Sequence, residues 1–357
     1  MSDSRIRDAT KRHLIEEVRW LLTVDRMSPP SASLRAALRA LRPDLDARRF
    51  ETLVELEAHL RSWYHGWYQQ HATVLYAART PFQQVVIQRF QYDGFSERAL
   101  TIDGHGQSTT TDEHIYHELL VHPALLLHPA PRAVFIAGGG ELATAREVLR
   151  HRSVERVVNA EIDEQLTMAC LEHLPSMSAG SFRDERLHMV FDDAYATLRD
   201  AARSFDVIIV DVNDPAYNTP AAGDGRTLFS REFLHTAKSK LNAGGVFVTQ
   251  SCGTSRASFP SVVKTIRSVF AHVYTLVAPV PSYGGAPWSW TIAHDRRPPS
   301  PSLSKLAERD VDREIMLRIG RPLRFLDNER LRESLRHSLH VEQRLTGAAE
   351  ILRLTGE

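Results

Sequence analysis

The spacing of apolar positions changes twice along the chain and predicts regions of different structure. Over residues 1–70, apolar residues recur at helical spacing, which predicts a helical N-terminal extension. Over residues 71–111, short alternating runs are separated by the pairs Asp93-Gly94 and Asp103-Gly104, and Asp-Gly between alternating runs is typical of β-hairpins. We therefore expect a small β-hairpin domain after the helical extension.

From residue 112 to 295, helical segments alternate with apolar runs of strand type. A helix is predicted over 112–127 and a strand over 133–137, and the later runs LHMVF, FDVIIVDV and GGVFVTQ predict further strands. Such alternation predicts an α/β domain with a doubly wound, parallel-type sheet, Rossmann-like and of the kind found in methyltransferases. Residues 296–357 begin with the proline-rich linker RRPPSPS and continue as a charged, amphipathic helical tail.

Composition narrows the classes of partner. The 357 residues carry 44 basic and 44 acidic side chains, so nucleic acid is not the expected partner. No run approaches the ~18 apolar residues of a membrane span, and the charged N-terminus lacks a signal-peptide core. Two cysteines, Cys170 and Cys252, are too few for a disulfide framework, which favours a cytoplasmic location.

The stretch from Ala133 to Asp163 has the pattern of a nucleotide-binding unit: strand, glycine turn, helix and second strand. Gly138 and Gly140 allow the backbone to turn tightly and to approach a ligand. Glu161 ends the second strand about 20 residues beyond Glu141, the offset at which a carboxylate binds ribose hydroxyls in doubly wound folds. The pattern predicts a ligand that contains a nucleoside.

Glu141 at the start of the helix argues against a dinucleotide. A pyrophosphate site needs free amides at the helix N-terminus, and a carboxylate there repels phosphate. A cationic ligand fits better, as S-adenosylmethionine and its decarboxylated form both carry a sulfonium and an amine. The alternative is that Glu141 merely caps the helix.

Other carboxylates follow later strands, where ligands of such sheets bind. Asp192 and Asp193 open a helix; one is an ordinary N-cap and the other is predicted to accept a hydrogen bond from the adenine amino group. Asp211 and Asp214 end a very apolar strand. A protonated alkyl amine must lose a proton before it attacks a sulfonium carbon, so we expect Asp211 to act as the base and Asp214 to hold the neighbouring cationic group.

These motifs resemble those of the polyamine aminopropyltransferases (spermidine, spermine and thermospermine synthases). The resemblance runs from about residue 80 to 293, through TPFQQVVIQ, LTIDGHGQSTTTDEHIYHELLVHPALLLHP, GGGE, EID, DDA, DVNDP and VPSYGGAPWSW. It implies that Gln83 contacts the nucleoside, that Tyr116 belongs to the active site, and that Tyr283 binds substrate; His117 and Trp288 are further substrate-binding candidates. Glutamate after the glycines and the W-x-W of Trp288 and Trp290 are similar to the thermospermine synthase branch.

The resemblance implies transfer of a 3-aminopropyl group from decarboxylated S-adenosylmethionine to a polyamine such as spermidine, with release of methylthioadenosine. The resemblance also implies a dimer, so we expect a homodimer or higher homo-oligomer; no metal is expected. The chain departs from the family at Leu142, where a glycine is usual and a leucine is expected to narrow the space beside the aminopropyl arm. The segment AYNTPAAGDGRTLF is longer than usual. Residues 1–70 and the tail have no counterpart in a minimal member, and residues 1–70 are expected to contribute to assembly.

Three alternatives compete with this interpretation. HELLVH is similar to a zinc-protease helix, but His117 and His122 are five positions apart and therefore lie on different helix faces. An amine methyltransferase that uses S-adenosylmethionine itself needs the same site. A non-catalytic polyamine or nucleoside sensor is the third alternative, although a pure binder has no need for the base Asp211 or for Tyr116.

Overall fold

The computed structural model describes residues 71–92, 95–215, 227–283, 287–295, 310–342, 345 and 349–354. The predicted helical extension over residues 1–70 and the linker at 296–302 lie outside these residues. No helix in the described part of the chain is long and apolar enough to cross a membrane. The division into four domains stays a prediction.

A four-stranded antiparallel sheet begins the described chain. Its strands pair in chain order and are β1 Ala72–Arg79, β2 Gln84–Tyr92, β3 Phe95–Ile102 and β4 His105–Thr109. Asp103 and Gly104 form the turn between β3 and β4 with φ of 49° and 80°, the backbone that makes Asp-Gly favourable in two-residue hairpins.

A seven-stranded sheet follows, with the order β10-β11-β9-β8-β5-β6-β7. Its strands are β5 Ala133–Gly138, β6 Arg156–Ala160, β7 Leu187–Val190, β8 Phe205–Asp211, β9 Leu241–Gly253, β10 His272–Ala278 and β11 Trp288–His294. The pairs from β9 through β7 are parallel, whereas β11 is antiparallel to both of its neighbours. The doubly wound α/β prediction is confirmed; the strand β10 and the direction of β11 were not predicted.

Helices cover both faces of this sheet. They are α1 Glu113–Leu127, α2 Ala143–Leu149, α3 Glu164–His173, α4 Pro175–Ser178, α5 Ala194–Asp200, α6 Arg231–Ser239, α7 Ser258–Arg267, α8 Val311–Arg318 and α9 Asn328–Glu342. Successive residues of β5 alternate between two apolar cores, with Val134 and Ile136 on the side of α1, and Phe135 and Ala137 on the side of α6 and α7. Burial on both faces explains why these strands are continuous apolar runs rather than alternating ones.

The C-terminal segment packs on α1. The fully buried carboxylate of Glu118 accepts the backbone N–H groups of Arg324, Phe325 and Leu326, each at 2.8 Å. Leu331 of α9 is buried in the same core as α1. A buried carboxylate is stabilised when its oxygens are hydrogen-bonded, so this contact fixes α1 and the segment before α9 to each other. The predicted amphipathic helix starts at Asn328 rather than at Leu323.

Candidate active site

A cavity of about 410 Å³ lies between the carboxyl ends of β5, β6 and β8 and the β3–β4 hairpin. Its lining includes almost every residue predicted from the sequence, namely Gln83, Tyr116, His117, Gly138, Gly140, Glu141, Glu161, Asp193, Asp211, Asp214, Tyr283 and Trp288. This is the position at which open α/β sheets bind ligands. The sequence motifs, spread over about two hundred residues, therefore meet in one place.

Asp192 is the predicted residue that does not line the cavity. Its carboxylate accepts the backbone N–H of Asp193 at 2.7 Å, whereas Asp193 lines the cavity and also caps α5 by accepting the N–H of Ala196 at 2.6 Å. The sequence predicted an N-cap residue and a carboxylate at the ligand site in this pair. Asp193 has both positions, because it caps α5 and lines the cavity. Contact with adenine stays a prediction for both residues.

The glycine turn brings strand ends into contact. Gly138 has φ of +80°, and a Cβ there would lie 2.2 Å from the carbonyl oxygen of Asp211. A Cβ on Gly140 would lie 3.0 Å from Oε2 of Glu161. Both distances are shorter than a van der Waals contact, so glycine is what allows β5 to lie this close to the two acids.

The prediction that Leu142 narrows the space beside the aminopropyl arm is wrong. Its side chain is fully buried in the apolar core with α1 and does not line the cavity, so it does not narrow the space beside the ligand. Its φ is +67°, a left-handed conformation that glycine adopts without penalty. The usual glycine at this position is therefore explained by the backbone rather than by space for the ligand.

Glu141 is held by a buried ion-pair chain. His117 lies between two carboxylates, with Nδ1 2.9 Å from Glu113 and Nε2 2.9 Å from Glu141. Burial alone would lower the pKa of His117, but the hydrogen bonds to both glutamates outweigh it and raise the pKa to about 10. Arg146 completes the chain with a 2.7 Å contact to Glu113. His117 is thus a cation at neutral pH.

The carboxylate of Glu141 does not cap the helix α2. The N-cap residue of α2 is Leu142, and no side chain caps that helix end. The carboxylate of Glu141 instead faces His117 at the cavity wall. The alternative that Glu141 merely caps the helix is wrong.

Asp211 is a buried carboxylate at the end of β8 with donors on both oxygens. Tyr116 donates its hydroxyl to Oδ1 at 2.7 Å, and Thr144 donates to Oδ2 at 2.6 Å. Burial and the nearby charge of Glu141 raise the pKa of Asp211. A carboxylate held by two neutral hydroxyls and made more basic by its surroundings is suited to accept a proton.

Glu161 and Asp163 are two buried acids that follow β6. Asp163 was not predicted as a site residue. Glu161 accepts the backbone N–H of Asp163 at 2.9 Å. Asp163 accepts hydrogen bonds from Thr80 at 2.7 Å and from the side-chain amide of Gln83 at 2.9 Å. Asp163 therefore joins the four-stranded sheet to the nucleotide-binding unit and orients Gln83 at the cavity.

Burial also alters the acidity of Glu161. It raises the pKa of this carboxyl group to about 7, and the charges of Asp163 and Glu141 act in the same direction. The group is thus poised to change charge near neutral pH. A ligand that donates hydrogen bonds to the carboxylate favours the ionised form.

Asp214 has one oxygen engaged and one available. Gln250 donates its side-chain amide to Oδ1 at 3.2 Å, and the thiol of Cys252 lies beside the same carboxylate. The buried Oδ2 has no hydrogen bond of normal geometry from a described residue. Burial raises the pKa of Asp214. Buried oxygens without partners are rare in native proteins, so Oδ2 marks a position where a ligand donor belongs.

Aromatic side chains line the cavity beside these acids. Tyr283 and Trp288 meet with ring centroids 4.6 Å apart, and Tyr116 lies 5.8 Å from Tyr283. The hydroxyl of Tyr283 donates to the carbonyl of Gln107 at 2.6 Å, which fixes the ring against the hairpin of β4. Aromatic faces next to carboxylates attract alkylammonium groups. Trp290 of the W-x-W pair is instead buried in the core.

Four residues of the site were not predicted from the sequence, namely Thr144, Asp163, Gln250 and Glu113. Asp163 stood within the quoted EID motif, two positions after a strand-end acid, which was a usable signal. Glu113 and Thr144 carry no such signal, because their importance comes from which side chain they contact across the fold.

One group of side chains, His117, Glu141 and Asp211, has ligand atoms close enough to hold a metal ion within the described part of the chain. Both nitrogens of His117 already face carboxylates. A protonated imidazole has no lone pair for a metal. The group is better described as an ion pair than as a metal site.

The family comparison agrees with this geometry. Residues 113–302 match the family model described as the spermine/spermidine synthase domain. The matched residues include α1, the glycine turn and the cavity carboxylates of Glu141, Glu161, Asp211 and Asp214.

Relatives and solved structures extend the match into the four-stranded sheet. The chain is 40% identical over 277 residues to polyamine aminopropyltransferase 2 of Hyperthermus butylicus, covering 76% of this chain and 86% of that one. It is 34% identical over 260 residues to thermospermine synthase ACAULIS5 of Arabidopsis thaliana, covering 71% and 72%. A crystal structure of spermidine synthase with the transition-state analogue AdoDATO matches with a TM-score of 0.67 and 29% identity, over 76% of this chain and 88% of that one.

Proposed function

The chain belongs to the spermine/spermidine synthase family, and from this premise we propose how its own cavity carries out the reaction. The enzyme transfers an aminopropyl group from decarboxylated S-adenosylmethionine to a polyamine. The identity of the acceptor and the role of each residue are proposals, and we take spermidine as the acceptor.

The observation that carries the proposal is a buried excess of negative charge. Carboxylates of Glu141, Glu161, Asp211 and Asp214 line the cavity. Among the described lining residues, His117 is the buried cation and is shared between two glutamates. Arg256 also lines the cavity, but its side chain is exposed. Because an uncompensated buried charge is costly, this cavity favours a ligand with several positive charges. Decarboxylated S-adenosylmethionine and a polyamine together supply a sulfonium and several ammonium groups.

The donor occupies the side of the glycine turn in our proposal. Glu161 accepts the ribose hydroxyls, Gln83 contacts the nucleoside, and Asp193 accepts the adenine amino group. Glu141 faces the ammonium of the aminopropyl arm, with His117 holding that carboxylate in place. Gly138 and Gly140 allow the backbone to approach the nucleoside.

The acceptor lies along the wall of Tyr283 and Trp288. Asp214 binds an ammonium through its unpartnered oxygen, and Asp211 receives the proton of the attacking nitrogen. The nitrogen lone pair forms a C–N bond to the carbon attached to sulfur, and the C–S bond breaks with its electron pair moving to sulfur. The sulfonium becomes the neutral thioether methylthioadenosine, and the proton leaves on Asp211 with Tyr116 donating to the same carboxylate.

A product assay tests this function. The protein is incubated with decarboxylated or intact S-adenosylmethionine and with a panel of diamines and triamines, and the nucleoside product is identified by mass spectrometry. We expect methylthioadenosine and a longer polyamine with the decarboxylated donor, and the largest kcat/KM with spermidine. Release of S-adenosylhomocysteine from the intact donor would instead indicate methyl transfer. A larger kcat/KM with a diamine would contradict the acceptor assignment alone.

We also infer a homodimer or higher homo-oligomer, in which residues 1–70 contribute to assembly. Support for this comes from the family resemblance and from the apolar helical spacing of that segment. Light scattering on the full chain gives the mass in solution, and a monomer would contradict the inference.

A further inference from the structure

A second concave surface has the opposite charge to the cavity. This arginine groove, of about 740 Å³, lies beside α2, α4 and the start of α1. Its lining contains Arg146, Arg150, Arg183, Arg321 and Arg324. The acidic residues of the lining are Glu113, Glu147 and Asp184, so the groove carries a net positive charge.

The acids of the groove are already engaged. Glu147 pairs with Arg146 at 2.8 Å and with Arg150 at 2.7 Å. Glu113 pairs with His117 and Arg146, and Asp184 pairs with Arg186 at 2.7 Å. The exposed side chains of Arg183 and Arg321 form no ion pair with any described residue. Two guanidinium groups are therefore available at the groove.

Two buried donors in the lining also lack an acceptor. Oγ of Ser181, a residue 8% exposed, and Nε of Arg150 have no hydrogen-bond partner among the described residues. A guanidinium N–H is a donor and never an acceptor, so Nε of Arg150 needs an acceptor that the described residues do not supply. Native proteins leave few such groups without water, an ion or a ligand.

We propose that the arginine groove binds a phosphate-bearing anion. A phosphate group offers several acceptor oxygens and more than one negative charge, which matches a hydroxyl donor and several guanidinium groups that converge from different elements. The acidic cavity repels the same anion, so the two sites divide ligands by charge. Glu113 and Arg146 lie in the wall between them, because both line the groove and both belong to the chain that holds His117.

Calorimetry with pyrophosphate and inorganic phosphate tests the site in the full-length protein. We expect pyrophosphate to bind more tightly than phosphate, and the Arg183→Gln, Arg321→Gln double variant to lose roughly 10-fold or more in affinity, because it removes two charged hydrogen-bond donors. The matched control is Arg199→Gln, Arg330→Gln, which removes two exposed arginines outside the groove. We expect it to bind like the wild type. Ser181→Ala, which changes no charge, is expected to weaken binding by a smaller factor.

The outcomes are distinct from those of the aminopropyl transfer assay. Equal affinity in the groove and control variants, or no heat with either probe in the wild type, would overturn the proposal. Titrations are repeated in saturating methylthioadenosine: unchanged pyrophosphate affinity supports a separate site, and displacement would place the anion in the cavity and overturn it. A nucleoside triphosphate in a third arm distinguishes a nucleotide ligand from free phosphate by its higher affinity.

Discussion

The two halves of the cavity differ in how completely the protein satisfies its own polar groups. In the donor half, defined by Glu141, Glu161, Asp163 and Asp211, no buried carboxylate oxygen lacks a hydrogen-bond partner among the described residues. In the acceptor half, defined by Asp214, Tyr283 and Trp288, the buried Oδ2 of Asp214 has no hydrogen bond of normal geometry from a described residue. The difference indicates that the donor half is preorganised, whereas the acceptor half is completed by its ligand.

Preorganisation makes different demands on the two ligands. A rigid donor half fixes the sulfonium carbon without reorganisation at the moment of reaction. The unsatisfied carboxylate oxygen of Asp214 disfavours molecules that lack a matching donor, because it would then stay unpaired. We therefore expect changes in the donor half to affect chemistry and nucleoside affinity, and changes in the acceptor half to affect the KM for the amine.

The largest expected effect is that of Asp211→Asn, which keeps the shape of the side chain and removes the base. Loss of a general base typically lowers the rate by ~10²–10⁴, so we expect kcat to fall by about that factor. Affinity for methylthioadenosine should stay within a few-fold of wild type, because the nucleoside contacts lie on Glu161. Single-turnover kinetics and calorimetry measure the two quantities. A comparable loss of affinity in Asp211→Asn and Glu161→Gln would show that the roles are assigned wrongly.

Discrimination between donors is the next largest effect, and it tests Glu141 itself. The carboxylate of intact S-adenosylmethionine would meet the like charge of Glu141 in a partly desolvated site. Such juxtaposition costs several kcal/mol, so the decarboxylated donor should bind roughly 10- to 1000-fold more tightly. Protonated His117 offsets part of that charge, which favours the lower part of the range.

Glu141→Gln is the matched variant for this comparison. It should bring the two affinities together, mainly by weakening the decarboxylated donor. Equal affinities in the wild type would contradict the argument and favour methyl transfer.

The sequence predicted the acids of the cavity better than the contacts that hold them in place, for a physical reason. Glycines, strand-end acids and a fixed offset to Glu161 are local requirements of one βαβ unit, so they can be read from consecutive residues. The contacts of Thr144 with Asp211, Gln250 with Asp214 and Asp163 with Gln83 join separate elements. The spacing of apolar and polar residues along the chain does not predict such contacts.

Leu142 shows that sequence position alone can also predict a ligand contact that the fold does not make. A departure from the family pattern beside a site residue suggested a steric effect on the ligand. The side chain turned toward the core because the backbone at this position is left-handed. Sequence neighbours of a ligand group need not face the ligand.

Asp214→Asn is expected to act on the acceptor. It keeps an oxygen for Gln250 and removes the charge that attracts an ammonium group. Hydrogen bonds to charged groups contribute about 1.5–3 kcal/mol, so kcat/KM for the amine should fall by roughly 10- to 100-fold, mostly through KM. Donor affinity should be unchanged. A fall in kcat at saturating amine would instead place Asp214 in the chemical step.

The smallest expected effect is a pH dependence of nucleoside affinity that comes from Glu161. The pKa of this buried carboxyl group is raised from 4.5 to about 7 in the free protein, so the group is mostly protonated at pH 6 and mostly ionised at pH 8. Ribose hydroxyls donate to the ionised form, so affinity for methylthioadenosine should rise with pH up to about 7 and then level off, with a slope of about tenfold per unit on the acidic side. The raised pKa has the opposite consequence for folding, because the protonated form is favoured in the folded state: the stability contributed by this group is lost as pH rises from 4.5 through 7.

Glu161→Gln is the matched control, since glutamine resembles the protonated form at every pH, and it should bind weakly with a flat profile. Calorimetry from pH 5.5 to 8.5 in both proteins, at about 0.15 M salt, separates the two possibilities: the same slope in Glu161→Gln would assign the titration to another of the buried carboxylates rather than to the ribose-binding residue.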